Sequence, residues 1–430
     1  MRNFSLTHRT LFSALALLLA TVSSAQTYFP PINTNQTWGT VSAGYDAQAL
    51  QELNTFLDTT DTKAFIILEN GKIAHEVYFD SFTQDSLWYW ASAGKTMTAF
   101  LIGLAEADGH LAVLQNSKAY LESGWSSCGS AFEDSTTVLK HLTMTTGLNF
   151  SGNTDCTDPS CLTCSSASEP WYYHNAAYTL LYHMLDSVTP FGITNYILGK
   201  LSFTTGITGS YLPLGDNRVF ISNARSMARF GLLVLARGDW AGNTIMDSGP
   251  GSYYDQMVNT TQSANESYGY LWWLNGKPSF RLPQSTAVFP GPLIPNAPSD
   301  LIAGLGKNDQ KLYVVPSQNR VVVRLGNDGG QGLFAASGYD NQLWALINAL
   351  DGSTSLEEWN SDESPYPNPG KGSLVIPSAR EGQSYRLLNV YGKVLEHDFV
   401  QVEGRVQLNA SPGLYLLQID HGRTFKIILE

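Results

Sequence analysis

One lysine in this chain has a serine three residues before it. The stretch Trp90 to Phe100 reads WASAGKTMTAF, with Ser92 and Lys95 in that relation and no other Ser-x-x-Lys in the sequence. Met97, Phe100, Leu101, Leu104 and Ala105 recur at spacings of three and four, which predicts a helix from about Ser92 with one buried face. On a helix Ser92 and Lys95 share a face. A serine hydroxyl is a weak nucleophile, and a lysine one turn away can assist removal of its proton, so the pair could attack a carbonyl carbon and carry an acyl group. The plainer reading is a helix-capping serine followed by a solvated lysine. A second group, Tyr173-His174-Asn175, stands ahead of the helical run AAYTLLYHML. Tyr-x-Asn also occurs at Tyr339-Asp340-Asn341 and Tyr366-Pro367-Asn368. Tyr173 is the one in a helix-rich stretch, where it could form a cleft wall facing Ser92.

Elements must hold these residues in place. AFIILENGKIAHEVYFD (64–80) predicts two strands around Glu69-Asn70-Gly71-Lys72, a hairpin of the Asn-Gly kind. From about 111 to 260 the pattern is mainly helical, and strand signals return in YGYLWWLNG (268–276), KLYVVPS (311–317) and NRVVVRLG (319–326) before a helix near GYDNQLWALINALDG. This predicts an α/β fold, an antiparallel sheet with flanking helices and an inserted helical lobe. Residues 351–365 open a polar stretch punctuated by Pro and Gly and read as a linker. Residues 366–430 alternate apolar and polar residues and read as a small β-sandwich, its core expected from Leu374, Ile376, Leu387, Val390, Leu395, Leu414 and Leu416.

Arg2 and Arg9, the run LFSALALLLATV and then Ser23, Ser24 and Ala25 make residues 1–25 a secretory signal peptide. No later run approaches the roughly 18 apolar residues of a membrane span, so none is expected in the mature chain. The formal charge is -12, and -14 without residues 1–25, which hold two arginines and no acid. Such a surface disfavours nucleic acid and acidic membranes as partners. The cysteines are Cys128, Cys156, Cys161 and Cys164. An even count in an exported chain predicts two disulfides, with three connectivities open. A zinc site using these thiols and His174 is the rival, but paired Cys-x-x-Cys units are lacking and no metal is expected. Trp88, Trp90, Trp171, Tyr172, Trp272 and Trp273 crowd the motifs, mostly as core, with some as walls of an apolar acyl pocket.

In order along the chain, SAGK at 92–95, MTTGLNF at 144–150, YHNAAYTLL at 173–181, ISNARSMARFGLL at 221–233 and GKNDQKLYVVPSQNRVVVRLG at 306–326 form a set. This set resembles the penicillin-binding serine hydrolases related to class C β-lactamases, with D-alanyl-D-alanine carboxypeptidases, esterases and 6-aminohexanoate-dimer hydrolases. The resemblance covers roughly residues 40 to 350 and implies a β-lactamase-like serine hydrolase domain, assigned to 26–350, working without cofactor. It also implies that Ser92 becomes acylated, that Lys95 is partly deprotonated or polarises its neighbours, and that Tyr173 acts as or shares the general base and then protonates the leaving group. A tyrosine of pKa roughly 10 is a poor base unless a cation stabilises its phenolate, which Lys95 can supply. Which of the two carries the proton stays open. Asn175 either binds a substrate amide, orients Lys95 or caps a helix. His174 reads as a packed or capping residue, since the family needs no histidine base.

The family's third element is Lys-Thr-Gly or His-x-Gly on a strand, and neither occurs here. Aligning back from LYVVP puts Gly304-Leu305-Gly306-Lys307 in its place. Gly306 would keep the close backbone approach, and a backbone N–H near Lys307 would complete an oxyanion hole with that of Ser92. The side chain that helps hold a substrate carboxylate is missing, so β-lactamase or carboxypeptidase activity is less expected than hydrolysis of simple esters and neutral amides, unless Lys307 turns inward. The tail, with SPYPNPGKGSLVI, YRLLNVYGKVL and GLYLLQIDHGRTFKIILE, resembles the C-terminal sorting domain of the type IX secretion system, a carbohydrate-binding or adhesive module being the alternative. The expectation is a serine hydrolase exported through the periplasm to the medium or cell surface, with an ester, amide or peptide substrate and the secretion machinery as partner. Its rival is a catalytically silent penicillin-binding-fold protein serving as a binding or peptidoglycan-sensing module.

Overall fold

The computed structural model describes residues 27–32, 37–164, 171–330, 338–351, 365–377, 379–389, 394–419 and 423–430. The expected signal peptide, most of the linker and Val390 lie outside the described residues. The chain divides into two compact units, one up to Leu350 and one from Asp351 to Glu430.

The first unit begins with α1 (Ala47–Thr59), capped by Asp46, whose carboxylate accepts from the Ala49 amide at 2.8 Å. Strands β1 (Thr62–Glu69) and β2 (Lys72–Tyr78) follow, joined by Asn70 and Gly71 at φ 50° and 82°, the left-handed pair that a tight hairpin requires. Then come β3 (Trp88–Tyr89), α2 (Lys95–Ala107), α3 (Asn175–Val188), β4 (Ser210–Leu214), β5 (Asn217–Ser222) and α4 (Ala224–Leu235). The unit closes with β6 (Trp273–Leu274), β7 (Ile302–Gly306), β8 (Gln310–Val315), β9 (Arg320–Gly326) and α5 (Gly338–Leu350). Six strands form one antiparallel sheet in the order β2-β1-β9-β8-β7-β6.

Strands β8 and β9 are buried along their whole length because helices cover both faces. On one face α4 comes close enough that a Cβ on Gly231 would lie 2.5 Å from Val321 Cγ1. On the other, Trp344 of α5 meets Tyr313 edge-on at 5.5 Å, and Tyr339 packs on Phe56 of α1 at 5.1 Å.

Three local expectations need correction. The segment 91–107 is a 3-10 turn, Ala91–Gly94, leading into α2, and α2 is buried all round from Lys95 to Ala105 rather than along one face. Sheet and helices both pack on it, Gly304 of β7 facing Thr96 and Phe230 of α4 meeting Phe100 edge-on at 5.6 Å. Within the stretch read as mainly helical, β4 and β5 form a hairpin to which β3 pairs. Of 268–276, only Trp273–Leu274 is strand.

The second unit holds β10 (Ser373–Val375), β11 (Ser384–Asn389), β12 (Val394–Phe399), β13 (Arg405–Gln407), β14 (Gly413–Ile419) and β15 (Arg423–Leu429). A four-stranded sheet, β12-β11-β14-β15, and the pair β10-β13 enclose a core with Leu374, Ile376, Tyr385, Leu387, Leu417 and Ile427. Leu395 and Leu414 are 46% and 43% exposed, and Leu416 is only partly covered, contrary to expectation. Leucines occur at both parities of GLYLLQI, and the strand sits one residue out of the expected phase, turning Leu417 and Ile419 inward. Among the described residues no helix is long and apolar enough to cross a membrane.

Candidate active site

Ser92 sits in the turn before α2, held from behind by Trp90. Trp90 is fully buried, its backbone amide donates to Phe220 O at 2.8 Å, and its indole N–H donates to Ser222 Oγ at 2.9 Å. Ala91 then adopts φ 47°, a left-handed conformation costing a residue with a Cβ about 1–2 kcal/mol. The sharp bend leaves Ser92 at the floor of a cleft of about 390 Å³. Lys95, Asn175 and Lys307 also line this cleft, as do Asp155 and Tyr178, which sequence reasoning did not single out. Leu214 and Val219 of the unexpected hairpin supply an apolar side.

Lys95 opens α2 and is 3% exposed. Its Nζ lies 2.9 Å from Ser92 Oγ and 2.9 Å from Asn175 Oδ1, above the rings of Tyr178 and Tyr173 at 4.5 and 5.0 Å. Burial pushes its pKa down to about 7, against a smaller opposite pull from the Asp155 carboxylate. A fully solvated lysine is therefore the wrong picture of this residue.

Tyr173 is buried between aromatic neighbours, stacked on Trp273 at 6.0 Å and edge-on to Tyr268 at 6.2 Å. Burial pushes its phenol well above the ordinary value, with contact to the Ser92 hydroxyl acting in the opposite direction. Both groups are thus shifted toward neutrality, the amine able to shed its extra proton near neutral pH and the phenol keeping its own. Tyr178 is committed elsewhere, its hydroxyl donating to the Arg218 carbonyl.

Asn175 is the first residue of α3 and makes no cap. Its amide bridges Lys95 to Asp155, Nδ2 donating to Asp155 Oδ1 at 2.6 Å. His174 is buried, with Nε2 3.2 Å from Asn149 O, and does not line the cleft.

The third wall is the end of β7. A Cβ on Gly306 would lie 2.5 Å from Trp90 O and 3.1 Å from the Ala93 amide N, so only glycine lets this edge rest on the serine turn. A Cβ on Gly304 would touch Thr96 Cγ2 at 3.1 Å, facing α2. The turn after Gly306 carries Asn308 and Asp309 at φ 58° and 56°. Buried Arg324 secures it by donating to the carbonyls of Asn308 at 3.2 Å and Asp309 at 2.9 Å.

The cysteines pair as Cys128–Cys164 and Cys156–Cys161, which leaves no thiolate for the rival zinc site. Trp90, Trp171, Trp272 and Trp273 are core residues, while Trp88 and Tyr172 are partly exposed.

The antiparallel sheet with helices on both faces is a β-lactamase-like fold. The family model described as Beta-lactamase matches residues 59–346, and the chain belongs to that family, whose members are generally serine hydrolases. A second model, described as a secretion system C-terminal sorting domain, matches residues 364–430. This tail implies handling by the type IX secretion system and export to the surface or beyond. No curated protein matches the chain.

Among solved structures, a penicillin-binding protein homologue from Caulobacter crescentus superimposes with a TM-score of 0.52 at 14% identity, over 73% of this chain and 99% of that one. An octameric penicillin-binding protein homologue from Pyrococcus abyssi gives 0.50 at 14% identity, over 89% of each chain. A Bacillus anthracis protein named provisionally as a 6-aminohexanoate-dimer hydrolase gives 0.53 at 16% identity, over 73% of this chain and 86% of that one. At such identities the likeness is one of fold.

Proposed function

We propose that this protein is an exported serine hydrolase that cleaves an ester or amide through an acyl-enzyme on Ser92. The observation that carries the reading is a buried Lys95 amine 2.9 Å from Ser92 Oγ, and burial pushes its pKa down to about 7. A neutral amine at that distance accepts the hydroxyl proton as the oxygen attacks the carbonyl carbon. Tyr173, held protonated by burial, donates to the leaving group, and the Lys95 ammonium restores its proton. This divides the acid and base roles that the sequence leaves undivided. Backbone N–H groups of Ser92 and the turn at Lys307 receive the oxyanion, a donor of this kind being worth about 3 kcal/mol in the transition state. Water then attacks the acyl carbon by the same route in reverse.

Gly304 supplies no cation for a substrate carboxylate, which favours short esters and neutral amides over β-lactams. Lys307 lines the cleft and supports the second reading, a carboxylate-bearing substrate such as a penicillin or a D-alanyl peptide. A panel of short esters, linear amides, D-amino-acid peptides and β-lactams, run with wild type and Ser92→Ala, tests both. The proposal expects ester turnover that falls by at least about a thousandfold in Ser92→Ala. A folded wild type with no activity across the panel points to a silent binding module, and a cephalosporin cleaved faster than simple esters overturns the preference.

A further inference from the structure

The carboxylate of Asp155 takes no part in the chemistry proposed above, yet it reaches the cleft from a loop tied by two disulfides. Asp155 immediately precedes Cys156, whose bond to Cys161 closes a short ring, and Cys164 ties the far end of the same loop to Cys128. The Thr154 carbonyl accepts from the Ala176 amide at 2.8 Å, pinning the loop to the first turn of α3. Asp155 is thereby set beside Asn175, with Oδ1 2.6 Å from Asn175 Nδ2.

An amide side chain has two ends of similar shape, and what decides which end faces Lys95 is the partner on the other side. A carboxylate only accepts, so it draws the Asn175 NH₂ toward itself and repels the amide oxygen. The oxygen must then face Lys95 Nζ, where it stands at 2.9 Å. A neutral amine has two N–H bonds and one lone pair. Once an N–H is fixed on Asn175 Oδ1, rotation of the amine is restricted and its lone pair can be held toward Ser92 Oγ.

We propose that Asp155 is a positioning residue for acyl transfer, acting through Asn175 to hold the Lys95 amine in the orientation that accepts the Ser92 proton, and that the Cys156–Cys161 loop serves to keep it there. The inference rests on the Ser92–Lys95 reading. The groups facing the Lys95 amine are the Ser92 hydroxyl, the Tyr173 and Tyr178 rings, the Asn175 amide and the Asp155 charge, with Lys307 in the same cleft and Arg218 behind Tyr178. Of these, Asp155 favours the ammonium form. Its loss therefore has two effects of opposite sense, poorer orientation and an easier deprotonation.

The test uses the full chain and a chromogenic ester, with kcat and KM followed across pH and thermal unfolding alongside. Asp155→Asn is expected to lower kcat by about tenfold to a hundredfold, the usual worth of a charge-assisted hydrogen bond, with KM and Tm little changed. At the same time the acid limb of the profile moves to lower pH. Asp155→Ser, expected to behave alike, stands in if the asparagine variant misfolds. In an Asn175→Ala background the same change is expected to cost less than about threefold, because the intermediary is gone. Cys156→Ser with Cys161→Ser is expected to reproduce the fall in kcat. An unchanged kcat in Asp155→Asn, a loss confined to KM, or a full loss persisting without Asn175 would overturn the assignment; an unchanged kcat in the double serine variant would overturn the loop's part in it. Ser92→Ala and Lys95→Ala run in the same assay separate the two levels. Their retained activity sinks the hydrolase reading itself, whereas their inactivity beside a normal Asp155→Asn sinks only the role of Asp155.

Discussion

Replacing Lys95 by methionine should make the catalytic unit inactive and more stable. A lysine whose pKa falls from 10.5 to about 7 on burial carries a cost of about 5 kcal/mol, at about 1.4 kcal/mol per pH unit. Methionine fills a similar volume without a charge to desolvate. The substitution gives up the hydrogen bonds to Asn175 and Ser92, worth about 1 kcal/mol each, while half-buried Asn175 can turn to water. The balance is a gain of about 2–3 kcal/mol near neutral pH, or roughly 5 °C in Tm for a unit of this size.

The gain has a pH signature. Below about pH 7 lysine is protonated in both folded and unfolded chains and the full cost is felt. Between about 7 and 10.5 the unfolded chain binds a proton that the folded one lacks, so wild-type stability rises with pH across this window as the cost fades. Thermal unfolding of wild type and Lys95→Met at about pH 7 and about pH 9.5 should therefore show a Tm difference that narrows as pH rises. A Lys95→Met protein less stable than wild type near pH 7, or a difference that does not change with pH, would refute the reasoning.

Other expectations follow from the same geometry. Tyr173→Phe keeps the stack on Trp273 and removes only the hydroxyl, so kcat should fall by about 10²–10⁴ with little change in Tm. Gly306→Ala sets a methyl 2.5 Å from the Trp90 carbonyl, where backbone cannot yield cheaply, and should cost about 1–3 kcal/mol along with most activity, read by unfolding and ester turnover. A chain ending at Asp351 should keep the ester turnover and Tm of the first unit, since the second has its own core, and should accumulate in the periplasm of the native host. Normal export of that truncated chain would count against the sorting role.

Local signals were the legible ones. Asn70-Gly71 marks its hairpin because few residues accept two left-handed conformations, and Ser92 with Lys95 shows through the three-residue spacing. Even cysteine number predicts two disulfides, whereas their connectivity depends on tertiary proximity. The β4-β5 hairpin escaped because Leu212 and Leu214 are exposed around Pro213, so that in SYLPL only Tyr211 turns inward, against Phe220 of the partner strand, and the alternation is too short to read. Asp155 was hidden for a different reason. Its importance comes from standing beside Asn175, twenty residues on, and nothing in DCTDPSC announces that contact. In the tail, adjacent leucines at 416 and 417 leave strand phase undetermined until the sheet pairs.

The central claim is that Ser92 is a nucleophile served by a neutral lysine. Fluorophosphonate inactivation of the purified protein, timed across pH and located by peptide mass, addresses it most directly. The account predicts one adduct, on Ser92, forming at a rate that rises with pH through an apparent pKa near 7, and no adduct in Ser92→Ala. An unreactive folded protein, an adduct on another residue, or a rate that climbs only near the ordinary lysine value of 10.5 would contradict it.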